Sequence, residues 1–244
     1  MIKLHNNLIG SETAPHSNFT LEGSDSYDNY QLNLKSQPQD WIYRNKDITY
    51  KRNVYGHRSV DVETLDKDFV LFAGCSITFG SGLALEDTYP YLVSKSLGMD
   101  YYNLSVEASG PDVVTHNLFS WAQHIKKRPA YIVVQWPEPY RFFHPSDDPK
   151  YLLGPWIDYI KHLYDKPIID KYYKVIETDV LEHYYKIMRL SVTTYIQALG
   201  IPCYQFETKD IEVVDVARDL KHPGIETNKK LADLVVNSLS SQKT

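Results

Sequence analysis

Residues 69–83, FVLFAGCSITFGSGL, constrain the fold more than any other stretch of this chain. Phe69 to Ala73 are all apolar, the pattern of a strand buried on both faces of a parallel sheet. The run stops at Gly74, and Ser76 follows two residues later in a Gly-rich loop. A buried parallel strand delivers its C-terminal end to the edge of the sheet, where open α/β folds place their chemistry. A glycine there removes a side chain that would crowd an approaching ligand. Ser76 is thereby a candidate nucleophile.

The order of elements agrees with this placement. Strand-like runs at 69–75, 101–104, 131–136 and 201–206 alternate with helix-like stretches at 87–98, 112–127, 179–199 and 225–240. Such alternation implies an α/β fold, a parallel sheet with helices on both faces. Right-handed crossovers then bring the C-terminal strand ends to one edge. Ser76 and the loops 103–112 and 135–139 converge there. The last helix follows Pro223 and Gly224, which puts His222 at the same rim.

A serine hydroxyl is a poor nucleophile until a base takes its proton, and that base needs an orienting partner on its other ring nitrogen. In ARDLKHPG, Asp219 and His222 stand three residues apart, a spacing that places both on nearby surface of one turn. His222 is the candidate base and Asp219 its partner. Cys75 is a rival nucleophile by position, although a small apolar residue ending a buried strand ordinarily packs. Other motifs fail on spacing. GSGLAL (80–85) lacks the third glycine of a dinucleotide fingerprint, no GK[ST] follows Gly74, and Ile77 and Thr78 stand where a GxSxG elbow needs glycine. The nine His and two Cys form no HExxH or CxxC pattern, so neither a metal nor another cofactor is implied.

GCSITFG and DLKH together resemble the first and closing blocks of the SGNH (GDSL-like) hydrolases, with Cys75 where many members carry Asp. DTYPYLVSKSLG (87–98) resembles the helix after the nucleophile, NLSVEASGPD (103–112) the second block, and NVYGHR (53–58) an approach segment of some members. The resemblance runs in order over about residues 45–240. It implies a three-layer α/β/α sandwich with a flavodoxin-like sheet, and a serine esterase. It also implies an oxyanion hole from the backbone N–H groups of Ser76 and a second-block residue. Counting five from Asn103 reaches Ala108, where the family has Gly, and Gly110 is the alternative. The third block departs from the family: QWPEP (135–139) has no Asn; the side-chain amide of Gln135 can stand in, or Trp136 or Pro137 is the aligned residue and one donor is missing. Loss of one such donor costs about 100- to 1,000-fold in turnover.

Residues 1–45 are polar and without a sustained period. They read as an N-terminal arm, wrapping or partly mobile, ahead of a domain spanning 46–244. Residues 137–178 are the least family-like part, an aromatic-dense insertion directly after the third active-edge loop. Tyr occurs 20 times in the chain, and Trp136, Tyr140, Phe142, Phe143 and Trp156 are candidate platforms for sugar rings or an acyl chain. Packing of the inserted elements is the ordinary role for any one of them. Arg141 suits a substrate carboxylate or phosphate, or pairs with Glu138, and Trp136, Glu138, Tyr140 and Arg141 are the expected substrate contacts.

A net charge of −5 argues against nucleic acid as a partner. No apolar run reaches the roughly 20 residues of a membrane span, and the N-terminus lacks the apolar stretch of a secretory signal. Synthesis in the cytoplasm, with Cys75 and Cys203 as free thiols in a reducing compartment, is the corresponding expectation, and the final location stays open. Lys126, Lys127 and Arg128 read as a helix C-terminus that complements its own dipole. The expected substrate is a small ester or an O-acetylated carbohydrate. An O-acyltransferase and a non-catalytic glycan- or partner-binding module remain alternatives. A base of ordinary histidine acidity predicts activity that falls below pH about 6 to 7.

Overall fold

The computed structural model describes residues 2–5, 8–11, 18–20, 23–65, 68–144, 151–157 and 166–243. Parts of the arm and of the aromatic insertion therefore lie outside the described residues.

Four parallel strands form the central sheet: β1 (Phe69–Ala73), β2 (Asp100–Asn103), β3 (Tyr131–Trp136) and β4 (Cys203–Glu207). Their order is β4-β3-β1-β2, with Val70 opposite Tyr131 and Phe72 opposite both Val133 and Asn103. This is the flavodoxin-like order. The chain leaves β1 toward β2 on one side and returns to β3 on the other, so a crevice opens between the C-terminal ends of β1 and β3.

The pleat of β1 sorts its side chains into two cores. Val70 and Phe72 face Tyr89 and Val93 of α3 (Tyr89–Leu97), with Leu231 and Val235 of the last helix. Phe69, Leu71 and Ala73 face Val114 and Leu118 of α4 (Pro111–Ser120), with Val192 and Ile196 of a long helix. An α/β/α sandwich results. Among the described residues the α-helices are, in chain order, α1 (Tyr27–Ser36), α2 (Ser76–Phe79), α3, α4, α5 (Lys166–Ile176), α6 (Val180–Leu199) and α7 (Ile225–Ser240). Glycines in the left-handed conformation close α3 at Gly98 and α6 at Gly200.

The helix expected over 112–127 departs from α geometry after Ser120. It continues as a π turn, Trp121–Ile125, that ends at Lys126 with φ +61°. Lys126 caps this turn, its N–H donating to the Trp121 carbonyl, but the side chains of Lys127 and Arg128 reach elsewhere. Lys127 donates to the carbonyls of Val62 and Leu65, and Arg128 to those of Leu199 and Gly200 at the C-terminus of α6. Cys75 is buried and Cys203 half-buried, both as free thiols, and burial pushes the Cys203 thiol up to about 12. Among the described residues no helix is long and apolar enough to cross a membrane.

Candidate active site

The loop after β1 is braced from below. Gln135, fully buried at the end of β3, accepts through Oε1 from the Cys75 N–H (3.0 Å), the Cys75 thiol (3.1 Å) and the Thr78 hydroxyl (3.2 Å). Its Nε2 donates to Thr208 at 2.7 Å. Both ends of this amide are thus engaged beneath the loop, and Gln135 acts as a brace there, not as the oxyanion donor expected from the sequence. Gly74 belongs to the same packing. A Cβ on it would lie 2.2 Å from Thr78 Oγ1 and 2.8 Å from Gln135 Oε1. The glycine is needed for the loop to sit on its brace, and ligand approach is not what requires it. Cys75, with no exposed surface and its thiol directed at Gln135, packs as its position suggests.

The loop is also held from the side. Arg58 of the NVYGHR segment is buried over the Tyr50 ring and donates to the carbonyls of Gly80 (2.8 Å), Leu83 (2.9 Å) and Thr49 (3.1 Å). Asn53 closes its own turn by accepting from the N–H groups of Tyr55 and His57. That segment shapes the loop rather than meeting the serine.

Ser76 opens the short helix α2, so its N–H is one of the helix-start donors without an intrahelical acceptor. Its Oγ lies 2.7 Å from His222 Nε2, and His222 Nδ1 lies 2.5 Å from Asp219 Oδ2. A carboxylate only accepts, so Nδ1 carries the proton and Nε2 presents a lone pair to the serine. Burial alone would push the Asp219 carboxyl up. The hydrogen bond and charge of His222, together with the Ser24 hydroxyl, outweigh that and hold it down to about 2. Such a chain can withdraw the Ser76 proton and return it to a leaving group. Ser76 is 6% exposed and the His222 side chain 19%, a narrow approach.

The two second-block candidates differ in backbone. Ala108 has φ +60°, a left-handed conformation that favours glycine, which accords with the resemblance at this position and costs an alanine about 1 kcal/mol. Gly110 is extended (φ −97°) and caps α4; a Cβ there would stand 2.1 Å from the Arg141 carbonyl oxygen. Gly110 therefore serves a close backbone approach. Asn103 braces the loop, donating to the Thr78 carbonyl (2.8 Å) and accepting from Ser105. Glu107, in the same loop, accepts from Ser81 at 2.5 Å and faces Arg52 at 3.6 Å, while burial pushes its carboxyl up.

Of the expected substrate contacts, Trp136 is fully buried. Its indole N–H donates to Gln205 and its ring packs edge-on to Tyr185, so it belongs to the core. Arg141 pairs with Glu138 at 2.6 Å and stacks on Trp156, which takes up both charges. Tyr140 is 39% exposed and remains available to a ligand.

Sequence reasoning read residues 1–45 as an arm but placed none of its residues at the site. Asp25, with no exposed surface, forms a buried ion pair with Arg218 (2.6 Å) and accepts from the Tyr50 hydroxyl (2.7 Å), which in turn accepts from the Gly82 N–H. Ser24 donates to Asp219 at 2.5 Å. Arg218 beside Asp219 was the one available signal, since a buried Arg needs a carboxylate; nothing in GSDSYD said it would be Asp25.

No family model matches the chain, and no curated protein sequence matches it. Solved structures do. The chain is similar to a lipolytic protein of the G-D-S-L family from Desulfitobacterium hafniense DCB-2, at 12% identity and TM-score 0.37 over 70% of this chain and 98% of that one. It is similar to an acetyl xylan esterase from the rumen bacterium Butyrivibrio proteoclasticus, at 16% identity and TM-score 0.40, over 72% of this chain and 64% of that one, less than two thirds of its length. The psychrotrophic esterase EstA from Pseudoalteromonas sp. matches at 12% identity and TM-score 0.39, over 72% and 98%.

Proposed function

We propose that this protein is a serine esterase of the SGNH type that removes a small acyl group through a Ser76 acyl-enzyme. The observation that carries the reading is the unbroken hydrogen-bond chain from Ser76 through His222 to Asp219 at the crevice between β1 and β3. His222 Nε2 takes the serine proton as Oγ attacks the ester carbonyl. The N–H groups of Ser76 and Ala108 receive the developing oxyanion. His222 then protonates the departing alcohol, and water repeats the sequence to release the acid. With Gln135 engaged as a brace, the hole rests on two backbone donors and turnover is correspondingly modest. The narrow approach to Ser76 suits an acetyl better than a long acyl chain. An O-acetylated carbohydrate is the substrate class, with Tyr140 at the rim as a surface for a sugar ring.

Labelling with a fluorophosphonate followed by peptide mapping tests this. The expected result is an adduct on Ser76 that is absent in Ser76→Ala and formed at least about a thousandfold more slowly in His222→Ala. A folded wild-type protein that takes no label overturns it.

A further inference from the structure

The Asp219 carboxylate has room for about four hydrogen bonds, and four donors reach it. Oδ1 accepts from the backbone N–H groups of Lys221 (3.1 Å) and His222 (3.0 Å). Oδ2 accepts from His222 Nδ1 (2.5 Å) and from the Ser24 hydroxyl (2.5 Å). Three of these donors come from the turn that carries Asp219. The fourth comes from a segment 195 residues earlier in the chain.

That segment is itself held at three points. Gly23 takes φ +56° and leans on the second-block loop so closely that a Cβ would stand 2.8 Å from Glu107 Oε1. The Asn29 side chain of α1 donates to the Ser24 carbonyl at 2.8 Å. Asp25 is locked by Arg218, the neighbour of Asp219, which also donates to the Thr20 carbonyl. Three consecutive arm residues thus engage the second-block loop and the Asp/His turn, and through Tyr50 the nucleophile loop.

We propose that Ser24 is a positioning residue of the active site, its hydroxyl fixing the Asp219 carboxylate so that Oδ2 stays aligned on His222 Nδ1. The inference rests on the esterase reading for its kinetic consequence, while its geometric consequence stands apart from turnover. A hydroxyl donating to Oδ2 draws off part of the charge that the imidazolium would otherwise see. Its own oxygen is 3.4 Å from His222 Nδ1, a weaker contact of opposite sign. Other groups that face the imidazole are Asp219 from its own turn and Glu107, with its partner Arg52, from the second-block loop. Asp25 and Arg218 lie behind as a neutralised pair. Removing the Ser24 hydroxyl leaves Asp219 more negative toward His222, so the imidazolium forms at higher pH.

The experiment compares wild type, Ser24→Ala and Ser24→Thr in the full chain. Fluorophosphonate labelling is followed against pH, and the His222 ring protons are titrated by NMR. In Ser24→Ala labelling slows about tenfold, the worth of one hydrogen bond to a charged group. The acid limb moves to higher pH, the NMR midpoint moves the same way, and Ser24→Thr restores both. Labelling and titration in Ser24→Ala that match wild type in a folded protein overturn the proposal. A wild type that takes no label removes the esterase reading, and the NMR titration still decides the role of Ser24.

Discussion

The N-terminal arm and the aromatic insertion press on the same loop by different physics. Gly23 of the arm abuts Glu107, and the Arg141 carbonyl of the insertion abuts Gly110. The arm is held by buried charge: Asp25 and Arg218 have 0% and 4% exposed side chains. The insertion is held by apolar packing of Leu153, Ile157 and Tyr172 with Phe142, and by partly buried polar contacts, Glu138 with Arg141, Arg141 over Trp156, and the Phe143 N–H on Asp112 (2.6 Å). Aromatic density marked the insertion as the region to shape a cleft, yet it is the polar arm that reaches the Asp/His turn. Apolar surface packs wherever there is room, whereas a buried charge is tolerated only against its partner, so the arm is specified residue by residue.

The largest effect that sharpens this contrast is expected from Asp25→Ala. It leaves the Arg218 guanidinium buried without its carboxylate, a loss of about 3–5 kcal/mol in denaturant unfolding. A loss within experimental error would remove the distinction drawn between the two regions.

A second test uses pH, because the carboxylates on the two sides are shifted in opposite directions. Asp219, contacted by the arm, is held down to about 2 from an ordinary 3.8. Its contribution, about 2 kcal/mol, is full above pH about 4 and is lost as pH falls through the folded value. Asp112, which holds Phe143 of the insertion, is pushed up by burial against the hydrogen bonds it accepts. Its contribution is full below pH about 4 and is lost as pH rises through its raised value. Hydrogen-exchange protection factors, in which the fall of the intrinsic rate with acid is divided out, should therefore drop at the amides of Gly23 to Asp25 on acidification toward pH 2. The protection factor at Phe143 should instead rise between neutrality and pH 4. The same trend at both places would erase the contrast.

The smallest effect concerns Tyr140. Its exposure puts the stability cost of Tyr140→Ala within about 0.5 kcal/mol. If the rim recognises sugar rings, KM for an acetylated oligosaccharide rises several-fold while KM for a short aryl acetate stays unchanged. Equal KM changes for both substrates would return Tyr140 to an ordinary surface role.

The layered fold was legible in the chain because its cause is local. Burial on both faces of β1 and of β3 up to Val134 demands apolar runs, and Gly98 and Gly200 end the helices that lead into β2 and β4. Ser76, Asp219 and His222 were legible for a related reason: each sits at the end of an element, next to the turn residues that end it. Gln135 and Trp136 were misread because the same strand end offers one side chain to the crevice and others to the interior. Sequence does not say which amide is already engaged below the loop, nor which indole has a Gln205 to meet.

Read alone, the chain specified a parallel α/β/α sandwich and the three residues that meet at its edge, since strand burial, turn chemistry and element order are properties of neighbours in sequence. Tertiary structure decided the rest. The left-handed turn at Ala108, the bracing of the serine loop by Gln135 and Arg58, and the docking of Ser24 and Asp25 on Asp219 and Arg218 depend on groups far apart in the chain. Buried polar groups must each find a partner, and which partner they find is settled only when the chain closes in space.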